Sequence, residues 1–286
     1  MSGALSGRTV VVTGGSMGIG LACAEECTRE GAAVVICARG EQELATAKAT
    51  LMALPGARVS TVPADVTVVE DVDRVLAAAL ELGGLHGVIH AAGIYGPIGP
   101  VVKVDPEEWF EAIRVNLFGT FLVARAACRL MMARGTGGSV VLMSGGGAAT
   151  PFPNYTAYAA GKVGVVRLAE TLSQEVAASG IRVNAVAPGF VATRLHTQTL
   201  QAGAALAGTF AETTKQQIAK GGVPAAVPAR TCAFLLSDRA AGITGRFVAA
   251  PHDGWEQWPA HLEQITGSDL FTLRRIVPKD RGMDWQ

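Results

Sequence analysis

Short runs of β-branched and aliphatic residues recur along this chain, and a longer stretch of helical period follows each of them. The runs at 8–13, 33–37, 58–62, 87–91, 139–143, 182–186 and 246–249 show little apolar–polar alternation. That pattern predicts strands covered on both faces. Helices are expected near 18–30, 41–54, 68–82, 107–133, 156–178 and 225–237. Strands alternating with helices imply right-handed βαβ units, and so an α/β, Rossmann-type doubly wound parallel sheet of seven strands with helices on both sides. Residues 1–250 read as a single domain. The stretch from 190 to 224, rich in Ala, Gly, Thr and Gln, breaks the rhythm without a clear strand. From Pro251 to residue 286 runs a tail carrying Trp255, Trp258, Leu262, Leu270, Phe271 and Leu273. That is too much apolar surface to leave in water, so the tail is expected to pack on the core or on a neighbouring subunit.

Composition narrows the function classes. Of 286 residues, 49% are hydrophobic, enough for a large core, and the formal net charge is +0. No basic run offers a footprint for nucleic acid or an anionic membrane. No apolar run is read as a membrane span, and the N-terminus lacks the pattern of a signal peptide. Five cysteines scattered through apolar segments read as buried thiols in a reducing cytoplasm. Neither they nor the histidines show ligand spacing, so no metal is expected.

Two motifs carry chemistry. Val10–Val12 lead into Thr13-Gly14-Gly15-Ser16-Met17-Gly18-Ile19-Gly20. Three spaced glycines after a buried strand permit a tight turn and close approach of the backbone to a bulky anion, with a helix N-terminus from Gly18 to hold it. The spacing departs from G-x-G-x-x-G. Far downstream, Tyr158 and Lys162 stand four apart on a predicted helix and so share a face. An ammonium beside a phenol favours the phenolate, and a tyrosine so tuned serves as a general acid or base.

Thr-Gly-x-x-x-Gly-Ile-Gly followed by Tyr-x-x-x-Lys resembles the short-chain dehydrogenase/reductase family. The resemblance covers about residues 6–250 and extends to Asp65-Val66, Ala91-Ala92-Gly93, Asn116, Ser144 and Pro188-Gly189. It implies strand order 3-2-1-4-5-6-7 and a mobile substrate lid near 190–224. It further implies that Tyr158 exchanges a proton with the substrate oxygen while hydride moves between nicotinamide C4 and carbon. On the same basis Lys162 lowers the tyrosine pKa and bonds the nicotinamide ribose, Asn116 holds a relay water, and Ser144 bonds the substrate oxygen. Ser144 stands fourteen residues before Tyr158, one more than usual. Gly145 occupies the usual serine position, so a bulge in the glycine run is expected to bring Ser144 into place. His90 stands where relatives carry asparagine and reads as a buried strand residue.

The expected cofactor shell is Gly14, Ser16, Met17, Gly18, Ile19, Gly20, Arg39, Asp65, Val66, Ala92, Gly93, Tyr158, Lys162, Pro188, Gly189, Val191 and Thr193. Arg39, with no carboxylate at the end of the second strand, favours NADP(H) over NAD(H), since a guanidinium holds a 2′-phosphate in fork geometry. Thr193 is expected to bond the carboxamide or to cap a helix. Substrate contacts are expected from Tyr95, Gly146, Phe152, Asn154, Tyr155, Arg194, His196 and Gln198. The reading is a ketone reductase or secondary-alcohol dehydrogenase acting on a small molecule, a homotetramer or homodimer joined through the helices bearing Asn116 and Tyr158. An NAD-dependent relative and a non-catalytic NADP-binding scaffold or sensor remain the alternatives.

Overall fold

A computed structural model describes residues 3–285. The strands are β1 (Thr9–Thr13), β2 (Ala33–Ala38), β3 (Arg58–Pro63), β4 (Gly87–His90), β5 (Gly138–Met143), β6 (Ile181–Ala187) and β7 (Phe247–Ala249). They form one parallel sheet ordered β3-β2-β1-β4-β5-β6-β7. Between them run α1 (Gly18–Arg29), α2 (Glu41–Met52), α3 (Val69–Glu81), α4 (Pro106–Ile113), α5 (Gly119–Arg134) and α6 (Thr156–Glu175). Next come α7 (Arg194–Ala207), α8 (Thr209–Ala219), α9 (Ala226–Leu236) and α10 (Leu262–Thr266). Each expected strand is present, and the α/β class follows from their burial: every residue of β1 and of β4 is buried.

Alternate side chains feed two cores. Val10, Val12, Val34, Ile36, Ile89 and Val141 pack with α1, α2 and α9. Val11, Val35, Val88, Val140 and Leu142 pack with α3, α5 and α6. The strand order reverses between β1 and β4, so the loops that leave their C-terminal ends diverge and open a crevice.

The stretch from 190 to 224, read as having no clear strand, is largely helical. Residues 194–219 form α7 and α8, which meet at Gly208 (φ 61°), with a break inside α7 at Gly203 (φ 65°). Small residues hid the period here, because the pair buries only a narrow stripe that includes His196, Thr199, Ala207, Ala211 and Thr214. A second difference concerns the helix from Pro106 to Arg134. It is continuous through a π turn at Arg114–Phe118 and is long and apolar enough to cross a membrane by those criteria alone. Half of its apolar window is buried within the protein, which makes it a core helix.

The tail folds over β7. Trp255 and Trp258 are buried, and Phe271 O accepts from Phe247 N–H at 2.7 Å, covering that edge of the sheet. Leu273 N–H donates to Glu170 Oε1 on α6 at 2.7 Å.

Candidate active site

The glycine turn does what its residue types allow. Gly14 (φ 64°) and Gly18 (φ 56°) take left-handed conformations, and a Cβ on Gly14 would lie 2.8 Å from Ala92 N. Only glycine admits that approach of β1's exit to β4's exit. A Cβ on Gly20 would lie 2.1 Å from Gly14 O, so α1 starts directly against the turn. No side chain among the described residues caps α1, which leaves the N–H groups of its first turn free for a ligand, and Gly18, Ile19 and Gly20 border the crevice.

The crevice is a groove of about 690 Å³. Of the residues expected around a cofactor, Gly14, Ser16, Met17, Gly18, Ile19, Gly20, Arg39, Asp65, Val66, Ala92, Gly93 and Thr193 line it, and Arg194, expected as a substrate contact, lines it too. Tyr158, Lys162, Pro188, Gly189 and Val191 do not line it. Gly189 (φ 77°) turns the chain under Pro251 and Val223, and Val191 is buried. Glu43, Ile94, Val115, Leu195, Thr197 and Ile218 line the groove without any signal in the sequence; Ile218 arrives from α8, far along the chain. Partial burial would raise the Asp65 carboxyl. Hydrogen bonds from the Thr67 hydroxyl and N–H outweigh that and, with Arg39 and Arg114 nearby, hold it below the usual carboxylate range.

Beyond Gly93 the groove meets a buried polar cluster. A Cβ on Gly93 would meet Asn116 Oδ1 at 2.8 Å and Lys162 Nζ at 3.3 Å. Asn116 sits in the π turn, accepts from Ile94 N–H at 3.1 Å and donates to Ile94 O at 2.8 Å. Gly161 and Gly164 let α6 close on this turn, since a Cβ on either would lie 3.0 Å from Asn116 or Leu117. Lys162 is buried; its Nζ donates to Met143 O at 2.9 Å and lies 5.6 Å from the centre of the Tyr158 ring. Burial lowers Lys162 to about 8 and pushes the Tyr158 phenol above its ordinary value. Burial thus pushes the phenol away from the lowered value that a neighbouring ammonium would favour.

Ser144 Oγ donates to the backbone oxygen of Lys162 at 3.0 Å. β5 keeps register through Met143↔Val186, and Ser144 N–H donates to Val186 O at 2.8 Å, so Ser144 still follows the strand. Gly145 takes the place beside the phenol, where a Cβ would lie 2.3 Å from Tyr158 Oη.

An aromatic wall adjoins Tyr158. Tyr95 meets its ring edge-on at 4.9 Å, Phe152 stacks on Tyr155 at 4.3 Å, and Phe210 of α8 packs against both of the latter. Tyr155 is fully buried, with its hydroxyl donating to Thr199 Oγ1 at 2.9 Å, so it supports the wall from behind. Asn154 (φ 69°) holds a left-handed turn and accepts Gly99 N–H at 2.8 Å through its carbonyl. Gly146 and Gln198 are exposed, and Arg194 is exposed at the groove wall.

The His196 ring centre lies 4.0 Å from that of Phe190 with the planes tilted by 45°, and burial lowers His196 to about 4. It is the third residue of α7 and takes the N–H of Thr193 at 3.4 Å, so Thr193 starts the helix. His90 is a buried strand residue, as expected; its Nδ1 lies 2.9 Å from Thr13 Oγ1, and burial, then the Lys162 charge, lowers it to about 3.

Comparison with known proteins agrees with this architecture. A family model described as enoyl-(acyl carrier protein) reductase matches residues 14–251. The chain belongs to the short-chain dehydrogenase/reductase family. It is 34% identical to 2-(S)-hydroxypropyl-CoM dehydrogenase 3 of Xanthobacter autotrophicus, across 87% of this chain and 97% of that one. It is 37% identical to cis-4-hydroxycyclohexanecarboxylate dehydrogenase of Sinomonas cyclohexanicum, across 87% and 97%. The structure of a short-chain type dehydrogenase/reductase from Mycobacterium ulcerans superposes with a TM-score of 0.78 at 32% identity, covering 93% of this chain and 98% of that one. The protein is thus an oxidoreductase of a family that uses a nicotinamide cofactor on small molecules.

Proposed function

We propose that the protein is an NADP(H)-dependent oxidoreductase interconverting a ketone and a secondary alcohol, with Tyr158 as general acid and base. The observation that carries this reading is the junction of the groove with the buried Asn116–Lys162–Tyr158 cluster at Gly93. The shape fits a dinucleotide: a turn that a Cβ would obstruct, an uncapped helix start and a crevice at the strand-order reversal. When bound, the cofactor supplies or accepts the hydride. The turn and α1 hold its pyrophosphate, Arg39 its 2′-phosphate, and Lys162 its nicotinamide ribose. Tyr158 Oη gives its proton to the substrate oxygen and takes it back in the reverse direction. In the oxidising direction the cationic ring of NADP⁺ would add to the Lys162 charge and favour the phenolate of Tyr158.

The wall of Tyr95, Phe152 and Phe210 fits an apolar, ring-sized substrate. A ring alcohol is what the Sinomonas cyclohexanicum relative's name states for that protein. We further place a second copy of the chain on the α4–α5 face, where Phe110, Phe118 and Phe121 stay exposed and Phe118 stacks on Phe121.

Two observations keep other readings in view. Glu43 lines the groove beside Arg39, and a carboxylate there favours the free ribose hydroxyl of NAD. The absent serine hydroxyl favours a nucleotide-binding scaffold without turnover. Fluorescence titration with NADPH and NADH, followed by a panel of cyclic ketones, separates them. Tighter NADPH binding with turnover lost in Tyr158→Phe is the expected result. Binding without turnover selects the scaffold, and tighter NADH binding selects the NAD enzyme.

A further inference from the structure

Hydride addition to a carbonyl leaves negative charge on oxygen, and sites for such chemistry aim fixed donors at that atom. Tyr158 supplies one. The side chains supply no hydroxyl beside it, because Ser144 Oγ is committed to Lys162 O at 3.0 Å and residue 145 is glycine. What borders the phenol there is backbone, since Gly145 Cα abuts Tyr158 Oη so closely that a Cβ would lie 2.3 Å from it.

After Gly145 the chain makes a turn closed by Ala148 N–H donating to Gly145 O at 3.3 Å. Gly147, third in the turn, has φ 85°, while Gly146, second, is not in the positive-φ region. That sign pattern is a type II turn, whose two central N–H groups are not used within the turn. Among the described residues, the N–H groups of Gly145, Gly146 and Gly147 donate to no carbonyl or side chain. The Gly146 nitrogen is two bonds from the Cα that touches Tyr158 Oη. Gly146 is exposed, with nothing within 4 Å of where its Cβ would stand, so a substrate has room to reach it.

We propose that the Gly146 N–H supplies the hydrogen bond to the substrate oxygen that a serine hydroxyl would otherwise give. The proposal rests on the ketone-reductase reading. In the reducing direction the carbonyl carbon accepts a hydride from the reduced nicotinamide, and the C=O π pair moves onto oxygen. That oxygen then takes the proton of Tyr158 Oη. The Gly146 amide holds the oxygen throughout and keeps its own proton. A glycine at 145 follows from the same arrangement, because a side chain there would displace the phenol from the amide.

Proline suits the second position of a type II turn and has no N–H, so Gly146→Pro removes the donor while keeping the turn. Gly146→Ala adds a comparable steric change and keeps the donor. With NADPH and cyclohexanone as probes, we expect kcat of Gly146→Pro to fall roughly 10²- to 10³-fold below that of Gly146→Ala. NADPH binding and melting temperature are expected to match between the two. Equal kcat in the two variants overturns the proposal and leaves the ketone-reductase reading intact. Wild-type protein that reduces no cyclic ketone with either nucleotide defeats that reading, and the proposal with it. A readout free of turnover, which needs no folded proline variant, comes from ¹⁵N-glycine protein, in which the Gly146 resonance is the one lost in Gly146→Ala. Adding cyclohexanone to the NADP⁺-saturated wild type is expected to move that resonance downfield, and a stationary resonance overturns the proposal.

Discussion

Gly145 Cα and Tyr158 Oη are in direct contact, with no space for a Cβ between them. The relationship makes residue 145 intolerant of growth. Gly145→Ala must push the buried phenol aside, and overpacking of this kind costs roughly 1–3 kcal/mol. Gly145→Ser, which restores a hydroxyl at the family's usual position, is expected to lower kcat instead of raising it. Denaturant unfolding and steady-state kinetics of the two variants check this; a Gly145→Ser enzyme faster than wild type would show that the site lacks only a hydroxyl.

Ser144 serves the framework. Its hydroxyl ties the end of β5 to the carbonyl of Lys162. Ser144→Ala is expected to cost about 0.5–1.5 kcal/mol of stability, as for an ordinary buried hydrogen bond, and to change kcat by less than roughly tenfold. A hydroxyl bonded to the developing oxyanion would instead cost about 10²- to 10³-fold on removal. The ratio of kcat values decides between the two roles.

Arg39 and Glu43 line the same groove, and on the NADP(H) reading they act on the cofactor preference from opposite directions. Removing a charged hydrogen bond costs about 1.5–3 kcal/mol. Arg39→Asp is therefore expected to weaken NADPH roughly 10- to 100-fold relative to NADH. Glu43→Gln is expected to shift the same ratio toward NADPH. Dissociation constants from nucleotide fluorescence give both, and an unchanged ratio in Arg39→Asp would remove the argument for NADP(H).

Two buried histidines make the fold acid-sensitive. Burial lowers His196 to about 4, and burial with the Lys162 charge lowers His90 to about 3, from an ordinary 6.5. Both are bases with depressed folded-state values, so below pH 6.5 the unfolded chain binds more protons than the folded one. Unfolding free energy is then full above pH 6.5 and falls as pH drops toward 4, by at most about 1.4 kcal/mol per pH unit per histidine. His196→Phe, which keeps an aromatic ring packed against Phe190, is expected to flatten this slope. Urea titrations at pH 7, 6, 5 and 4 measure it, and identical slopes in wild type and variant would exclude His196 as a source.

The seven strands and the helices flanking them were legible because parallel strands buried on both faces must be continuous apolar runs, and helices covering them must be amphipathic. The glycine turn and Tyr158-x-x-x-Lys162 were legible for a related reason: their chemistry depends on local spacing, which a sequence states directly. What remained was decided by contacts between distant segments. Helices α7 and α8 form on a narrow stripe that turns amphipathic only once Tyr155 and Phe152 are in place to receive Phe210 and Thr199. His196 looks like a free cation in the lid until Phe190 and Tyr95 enclose it. Serine was the chemically apt residue near position 145, but the β5–β6 ladder holds Ser144 in line with the strand, its hydroxyl bonds Lys162 O, and a glycine is left facing the phenol. The chain alone thus determines which groups exist and which neighbours share a face. Which of them meet across the fold depends on strand register and helix packing, because those are set by the sum of many remote contacts and not by any local run of residues.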